Sequence, residues 1–134
     1  MQKLTITTKS KKEVIDLTRI LNDLTSKNGF LNGILFLFAS HTTCAITTAD
    51  LDPGTDLDYI DAFSQMVPKL NYRHPHDPSH VPDHVMSSII GTSLVIPVQS
   101  ANMVLGQNQR VVLIEFYGPR ERHLNLAFLP EKLE

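Results

Sequence analysis

The sequence predicts an α+β fold of about seven mainly antiparallel strands and two to three helices. Three observations predict it. Short runs rich in β-branched and aromatic residues recur along the chain, each bounded by turn residues. Two stretches carry apolar residues at helical spacing. The strands crowd into the last third instead of alternating with helices, which favours antiparallel pairing over parallel βαβ units. The 134 residues suit one domain and can bury a core. Hydrophobic residues make up 42% and charged residues 19%, a globular balance. The formal net charge of −2 argues against a general electrostatic binder of nucleic acid.

The elements follow in order. "KLTITT" (3–8) reads as a strand. "SKKE" (10–13) has the form of a capping box, and Val14, Leu17, Leu21 and Leu24 continue at helical spacing. Asn28-Gly29 supplies a left-handed stop, so a helix is expected over 11–27. "GILFLFAS" (33–40) is apolar on both faces and reads as a central, covered strand; "CAITTA" (44–49) is the next. After Pro53-Gly54, Thr55 can cap a helix over 55–68, with Asp56 and Asp58 at its positive end and Leu57, Ile60, Phe63 and Val67 as its apolar stripe.

"NYRHPHDPSHVPDH" (71–84) differs in kind. It holds four of the six histidines and three prolines, and proline removes donors, so it reads as a stiff loop. A short helix follows over 83–91, capped by Asp83. The strands 93–99, 103–106, 110–118 and 123–129 complete the chain, broken at Gln107-Asn108 and Gly118-Pro119.

Histidine carries most of the chemical information. His41, His74, His76, His80 and His84 can converge if the 71–84 loop folds over the start of the 44–49 strand. Two or three imidazoles with a carboxylate such as Asp50 suit zinc or a similar divalent ion. There is no H-E-x-x-H, and Pro82 speaks against helical spacing of His80 and His84; solvated loop histidines are the competing reading. Cys44 with His41 as base is disfavoured, because positions three apart on a strand face opposite ways, and a cysteine packs well as a small hydrophobe. The acidic run Asp50, Asp52, Asp56, Asp58 and Asp61 suits Mg²⁺ or, more simply, a solvated helix face. Arg120 and Arg122 in "GPRER" (118–122) match an anion's oxygens, and alternate strand residues share a face. No P-loop or G-x-G-x-x-G is present. One cysteine, no charged-then-apolar leader and a longest apolar run of only "ILFLFA" (34–39) lead to a soluble cytoplasmic protein without membrane or nucleic-acid partners.

"SHTTCAIT" (40–47), "DPGTDLDYID" (52–61), "YRH" (72–74), "PDHVMSSIIGTSLVIPV" (82–98), "LGQNQRVVLIEF" (105–116) and "GPRER" stand in one order. As an ordered set they resemble the YjbQ family, also called uncharacterised protein family 0047, over nearly the whole chain. The resemblance implies a two-sheet sandwich of about seven strands and a homotrimer packed through its sheets. It also implies a weak thiamine-phosphate synthase activity, joining hydroxymethylpyrimidine diphosphate to thiazole phosphate and releasing pyrophosphate.

By the same resemblance, His41, His74, His84 and Asp50 are the expected catalytic residues, and Thr42, Thr43 and Arg120 bind the phosphorylated substrate. His41, His74 and His84 are the expected ligands of a divalent metal, Zn or Mg. His76 and His80 have no family counterpart and fall outside this site. The chain departs from the family at Ala49-Asp50, where Asn-Glu is usual, at Asn108, where Trp is usual, and at Cys44, where Ala is common. The alternative function is a trimer that binds metal or a small anion without turnover; a third is a structural trimer with solvated histidines.

Overall fold

A computed structural model describes residues 1–132. Its elements run β1 (Gln2–Thr7), β2 (Glu13–Asp16), α1 (Thr18–Lys27), β3 (Gly33–Ala39), β4 (Cys44–Ala49) and α2 (Thr55–Met66). A 3-10 turn (Pro78–His80) leads into α3 (Val81–Ile90), followed by β5 (Ser93–Gln99), β6 (Asn102–Met103), β7 (Arg110–Glu115) and β8 (Glu121–Pro130). All strand pairings are antiparallel. They form a large sheet in the order β1-β8-β3-β5-β6 and a small sheet in the order β2-β7-β4. The α+β, two-sheet expectation holds.

The two sheets meet face to face. Ile6, Leu35, Leu37, Leu124 and Leu126 of the large sheet pack against Cys44, Ile46, Val111 and Leu113 of the small one, and Leu17 and Leu21 close one end. The opposite face of the small sheet, Ala45, Val112 and Ile114, packs with Phe116 against Val67 after α2 and Met86 of α3. β7 is therefore buried on both faces, and each fully buried Val, Leu or Ile there contributes about 1.5–3 kcal/mol.

Several boundaries differ from the sequence expectation. Helix α1 starts at Thr18, not at 11, because Val14 and Ile15 pair with Ile114 and Leu113 of β7. The apolar spacing from Val14 fits a helix, but a β-branched pair beside an open strand gains a ladder of hydrogen bonds instead. Glu13 does reach back, taking the amides of Lys9 and Ser10 at 2.7 Å, but it closes a turn before β2. Asp16 accepts the Thr18 amide at 2.9 Å and so serves α1. At α2 the cap is Gly54, at φ 88°, a left-handed conformation that glycine adopts without a Cβ penalty.

The 71–84 segment is not a loop throughout. Its last residues wind into the 3-10 turn and the start of α3, with Pro82 in the first turn. Proline is tolerated there because its missing N–H would have no helical partner anyway. Asp83 is not the cap; it lies inside that turn, buried, and accepts Lys12 Nζ at 3.1 Å.

β3 is central, as expected, but covered on one side only. Leu35, Leu37 and Ala39 are buried, whereas Ile34, Phe36 and Phe38 stand about 40% exposed on the outer face. Among the described residues, no helix is long and apolar enough to cross a membrane.

Candidate functional site

The 3-10 turn and α3 bring His80 and His84 to the same side, one helical turn apart, and the preceding loop returns His74 against them. The ring centroids lie 4.8 Å (His74–His80), 5.0 Å (His80–His84) and 5.3 Å (His74–His84) apart. Each ring offers one nitrogen, and these nitrogens all lie within 4.8 Å of one another, close enough to hold a metal ion.

The hydrogen bonds set the tautomers. His84 Nδ1 lies 2.9 Å from the Thr42 carbonyl, which only accepts, so Nδ1 carries the proton and Nε2 is bare. That Nε2 is buried without a hydrogen-bond partner, and so is His80 Nδ1, which has only the Asp77 carboxylate at 3.5 Å. Buried polar atoms are nearly always paired, so two such nitrogens in one cluster fit a site built for an ion.

His74 is set the other way. Its Nδ1 accepts the amides of His76 and Asp77 at 3.3 and 3.2 Å, leaving the ring proton on Nε2. Loss of solvent and then the neighbouring His80 and His84 rings hold His74 below the usual histidine range. Ligation through Nδ1 replaces two amide bonds, and ligation through Nε2 replaces a proton.

His41 does not join this cluster. Its Nε2 accepts the His123 amide at 2.8 Å, so the ring proton sits on Nδ1 and the ring is set as a donor. Burial and then the Arg122 guanidinium hold it below the usual histidine range, so it is neutral at neutral pH. His41 instead lines a cavity of about 380 Å³ shared with Thr42, Thr43, His80, His84 and Arg120. A flatter, mostly apolar depression beyond the cluster is lined by Tyr72, His74, Val81 and again Thr42 and His84.

The two arginines play different parts. Arg120 precedes β8, so strand alternation does not align it with Arg122. It is exposed, with Nε donating to the Tyr117 carbonyl at 2.8 Å and its guanidinium 5.0 Å from the Tyr117 ring. The same ring lies against His80, with centroids 4.8 Å apart.

Arg122 is 3% exposed and Glu115 0%, and the two form a bidentate pair through Nε and Nη2. Nη2 also donates to Thr43 Oγ1 at 2.8 Å and to the Thr43 carbonyl at 3.1 Å. Thr8 Oγ1 and the Tyr117 amide complete the carboxylate's partners at 2.8 and 3.1 Å. Burial pushes the Glu115 carboxyl up, but these donors outweigh it and hold it below the usual carboxylate range.

Asp50 is not brought to the histidines. It follows the end of β4, six residues from Cys44, roughly 20 Å along an extended chain. Its carbonyl accepts Tyr59 Oη at 2.9 Å. Cys44 is fully buried and its thiol is pushed up to about 11, first by burial, as an inert core residue requires. His76 is exposed and outside the cluster, while His80 lies inside it.

Sequence reasoning left His80 out of the site because it has no family counterpart, and because Pro82 spoke against the turn that aligns it with His84. It missed Glu115 as well, though a lone acid inside the apolar run "VVLIEF" is itself the sign of a buried charged partner.

The profile of the family described as UPF0047 protein YjbQ-like matches residues 2–131. A UPF0047 protein of Archaeoglobus fulgidus is 30% identical over 90% of this chain and 94% of its own. The crystal structure of a hypothetical protein from Aeropyrum pernix K1 superposes with a TM-score of 0.88 at 31% identity, covering 97% of this chain and 98% of that one. A YbjQ-like protein of unknown function from Sulfolobus solfataricus P2 superposes with a TM-score of 0.88 at 27% identity, covering 97% and 96%. By profile, by identity along nearly the full length and by fold, the chain belongs to the UPF0047, YjbQ-like family.

Proposed function

We propose that this protein holds a divalent metal on His74, His80 and His84 and takes a small phosphorylated molecule in the adjoining cavity, against Arg120, Thr42 and His41. The observation that carries the reading is the pair of buried nitrogens without a hydrogen-bond partner, His84 Nε2 and His80 Nδ1. An all-imidazole set suits zinc better than magnesium, which prefers carboxylates and water, and Asp50 is not at hand.

The chemistry this site suits best is displacement of pyrophosphate, of the thiamine-phosphate synthase type. When bound, the metal supplies positive charge for phosphate oxygens. Arg120 adds a second charge on the leaving diphosphate, and the His41 Nδ1 proton offers a hydrogen bond to it. Thr42 positions His84 through its carbonyl, and Thr43 ties the same loop to Arg122. The second reading, binding without turnover, draws on a different observation: among the described residues lining the cavity none is a carboxylate that could act as a base.

In either reading the protein works as a homotrimer in the cytoplasm. Ile34, Phe36, Phe38, Val95 and Leu129 form an exposed apolar face on the large sheet, with Phe36 directly opposite Val95 and Ala127. Contiguous exposed apolar surface of this kind marks an interface. The free cysteine suits a reducing compartment.

The test is zinc titration by calorimetry, followed by thiamine-phosphate formation from hydroxymethylpyrimidine diphosphate and thiazole phosphate. One zinc per chain is expected, lost in His84→Ala and His80→Ala at normal folding. If the wild type takes no zinc, cobalt or nickel, the metal reading is wrong. If it takes zinc and pyrophosphate but makes no product, the binding reading replaces the transferase.

A further inference from the structure

Arg122 lines the cavity and Glu115 lies behind it; neither belongs to the histidine cluster, yet their bonds lead to one of the cluster's nitrogens. Arg122 Nη2 clamps Thr43 at both its hydroxyl and its carbonyl. The Phe116 amide holds the same carbonyl at 3.1 Å. The carbonyls on either side turn the other way, toward α3. Thr42 takes His84 Nδ1 at 2.9 Å, and Cys44 takes Ser87 Oγ at 2.6 Å. Three successive carbonyls are thus divided between the ion pair and the helix that carries His84.

We infer that Glu115 and Arg122 are positioning residues for His84: they fix the Thr42–Thr43 peptide so that the Thr42 carbonyl keeps the proton on His84 Nδ1 and leaves Nε2 free. This rests on the metal reading above for its consequence, but not for its geometry. In a side chain only 3% exposed the buried donors Nε and Nη2 must stay paired, so Nη2 has no cheap alternative to Glu115 and Thr43. Its fork can meet the Glu115 carboxylate and Thr43 together only in a narrow orientation. The Thr42 carbonyl in turn selects the tautomer, and a hydrogen bond on the far nitrogen of a ligating histidine typically changes metal affinity 10–100-fold.

Two readouts test it on the whole protein. The first is the His84 tautomer in metal-free protein, from ¹⁵N shifts of the ring; the second is zinc affinity. Wild type is expected to show protonated Nδ1. Glu115→Gln keeps the shape but weakens the clamp, and is expected to mix the two tautomers and bind zinc about 10-fold more weakly. Thr43→Val removes one acceptor of Arg122 at constant volume; it is expected to act in the same direction by a few-fold, and it decides the matter if Glu115→Gln does not fold.

A folded variant that keeps the wild-type tautomer and zinc affinity within twofold overturns the positioning role and leaves the metal reading standing. A tautomer shift in a protein whose wild type binds no zinc supports the positioning and overturns the metal reading.

Discussion

Glu115→Ala removes the one carboxylate facing a guanidinium that is 3% exposed. Breaking a buried ion pair from one side costs about 3–5 kcal/mol, because the remaining charge is left unpaired in the interior. Thr8 Oγ1 and the Tyr117 amide lose their acceptor too, at about 1 kcal/mol each. These losses share one carboxylate and do not add fully, so the expected destabilisation is about 4–6 kcal/mol. At this size, about 3–5 °C per kcal/mol, the melting temperature should fall by roughly 12–30 °C. Far-UV circular dichroism on urea and thermal unfolding measures it, at one protein concentration because the proposed trimer would contribute to stability. Glu121→Ala, at an exposed position that begins β8, is the control and should stay within about 0.5 kcal/mol. A Glu115→Ala cost below about 1 kcal/mol would mean that water reaches Arg122, and the clamp on Thr43 would then have no rigid anchor.

The remaining expectations can be checked on the same protein. His41 and His74 both have folded values below 6.5, so above 6.5 neither state is protonated and stability is at its full level. As pH falls below 6.5 the unfolded chain takes up protons that the folded rings refuse, and the urea midpoint in EDTA should decline; His41→Gln and His74→Gln should flatten that step. Glu115 lies below 4.5, so its contribution persists above 4.5 and is lost as pH falls through the lower folded value, giving a second, acid step. Cys44, with its thiol pushed up to about 11, should react with an aromatic disulfide reagent in urea but hardly at all in the native state at pH 8. Phe36→Asp places a charge at the centre of the exposed sheet face and should reduce the mass seen by sedimentation from trimer to monomer while the circular dichroism spectrum is kept; an unchanged mass would move the interface elsewhere.

Much of the architecture was legible because it depends on local pattern. The short apolar and β-branched runs 33–39, 93–99 and 110–115 are bounded by turn residues, and the chain uses them as strands. Helix α2 was legible from its stripe and from acids at its first turn. What failed depends on partners distant in sequence. Val14 and Ile15 fit either period, and only β7, about a hundred residues later, decides for a strand. The site divides in the same way. His74 and His84 carry a family signature, but the third ring is His80, whose place depends on how a proline sits in a helix's first turn. Asp50 was joined to the histidines by the family pattern, and a strand's length separates it from them. The Arg122–Glu115 pair joins residues seven apart across a turn, invisible to periodicity.

The placement of β8 bears on how this chain comes into being on the ribosome. Residues 121–130 form an inner strand of the large sheet, seated between the N-terminal strand and β3. Until they emerge, β1 has no neighbour, β3 offers an open edge of alternating Leu and Phe, and Arg122 is not there to meet Glu115. The nascent chain therefore spends most of its synthesis with an apolar strand edge unsheathed, the state in which chaperones and stray β-pairing compete for it. Folding has to wait for the last element, and the histidine pocket should be completed all at once rather than in stages.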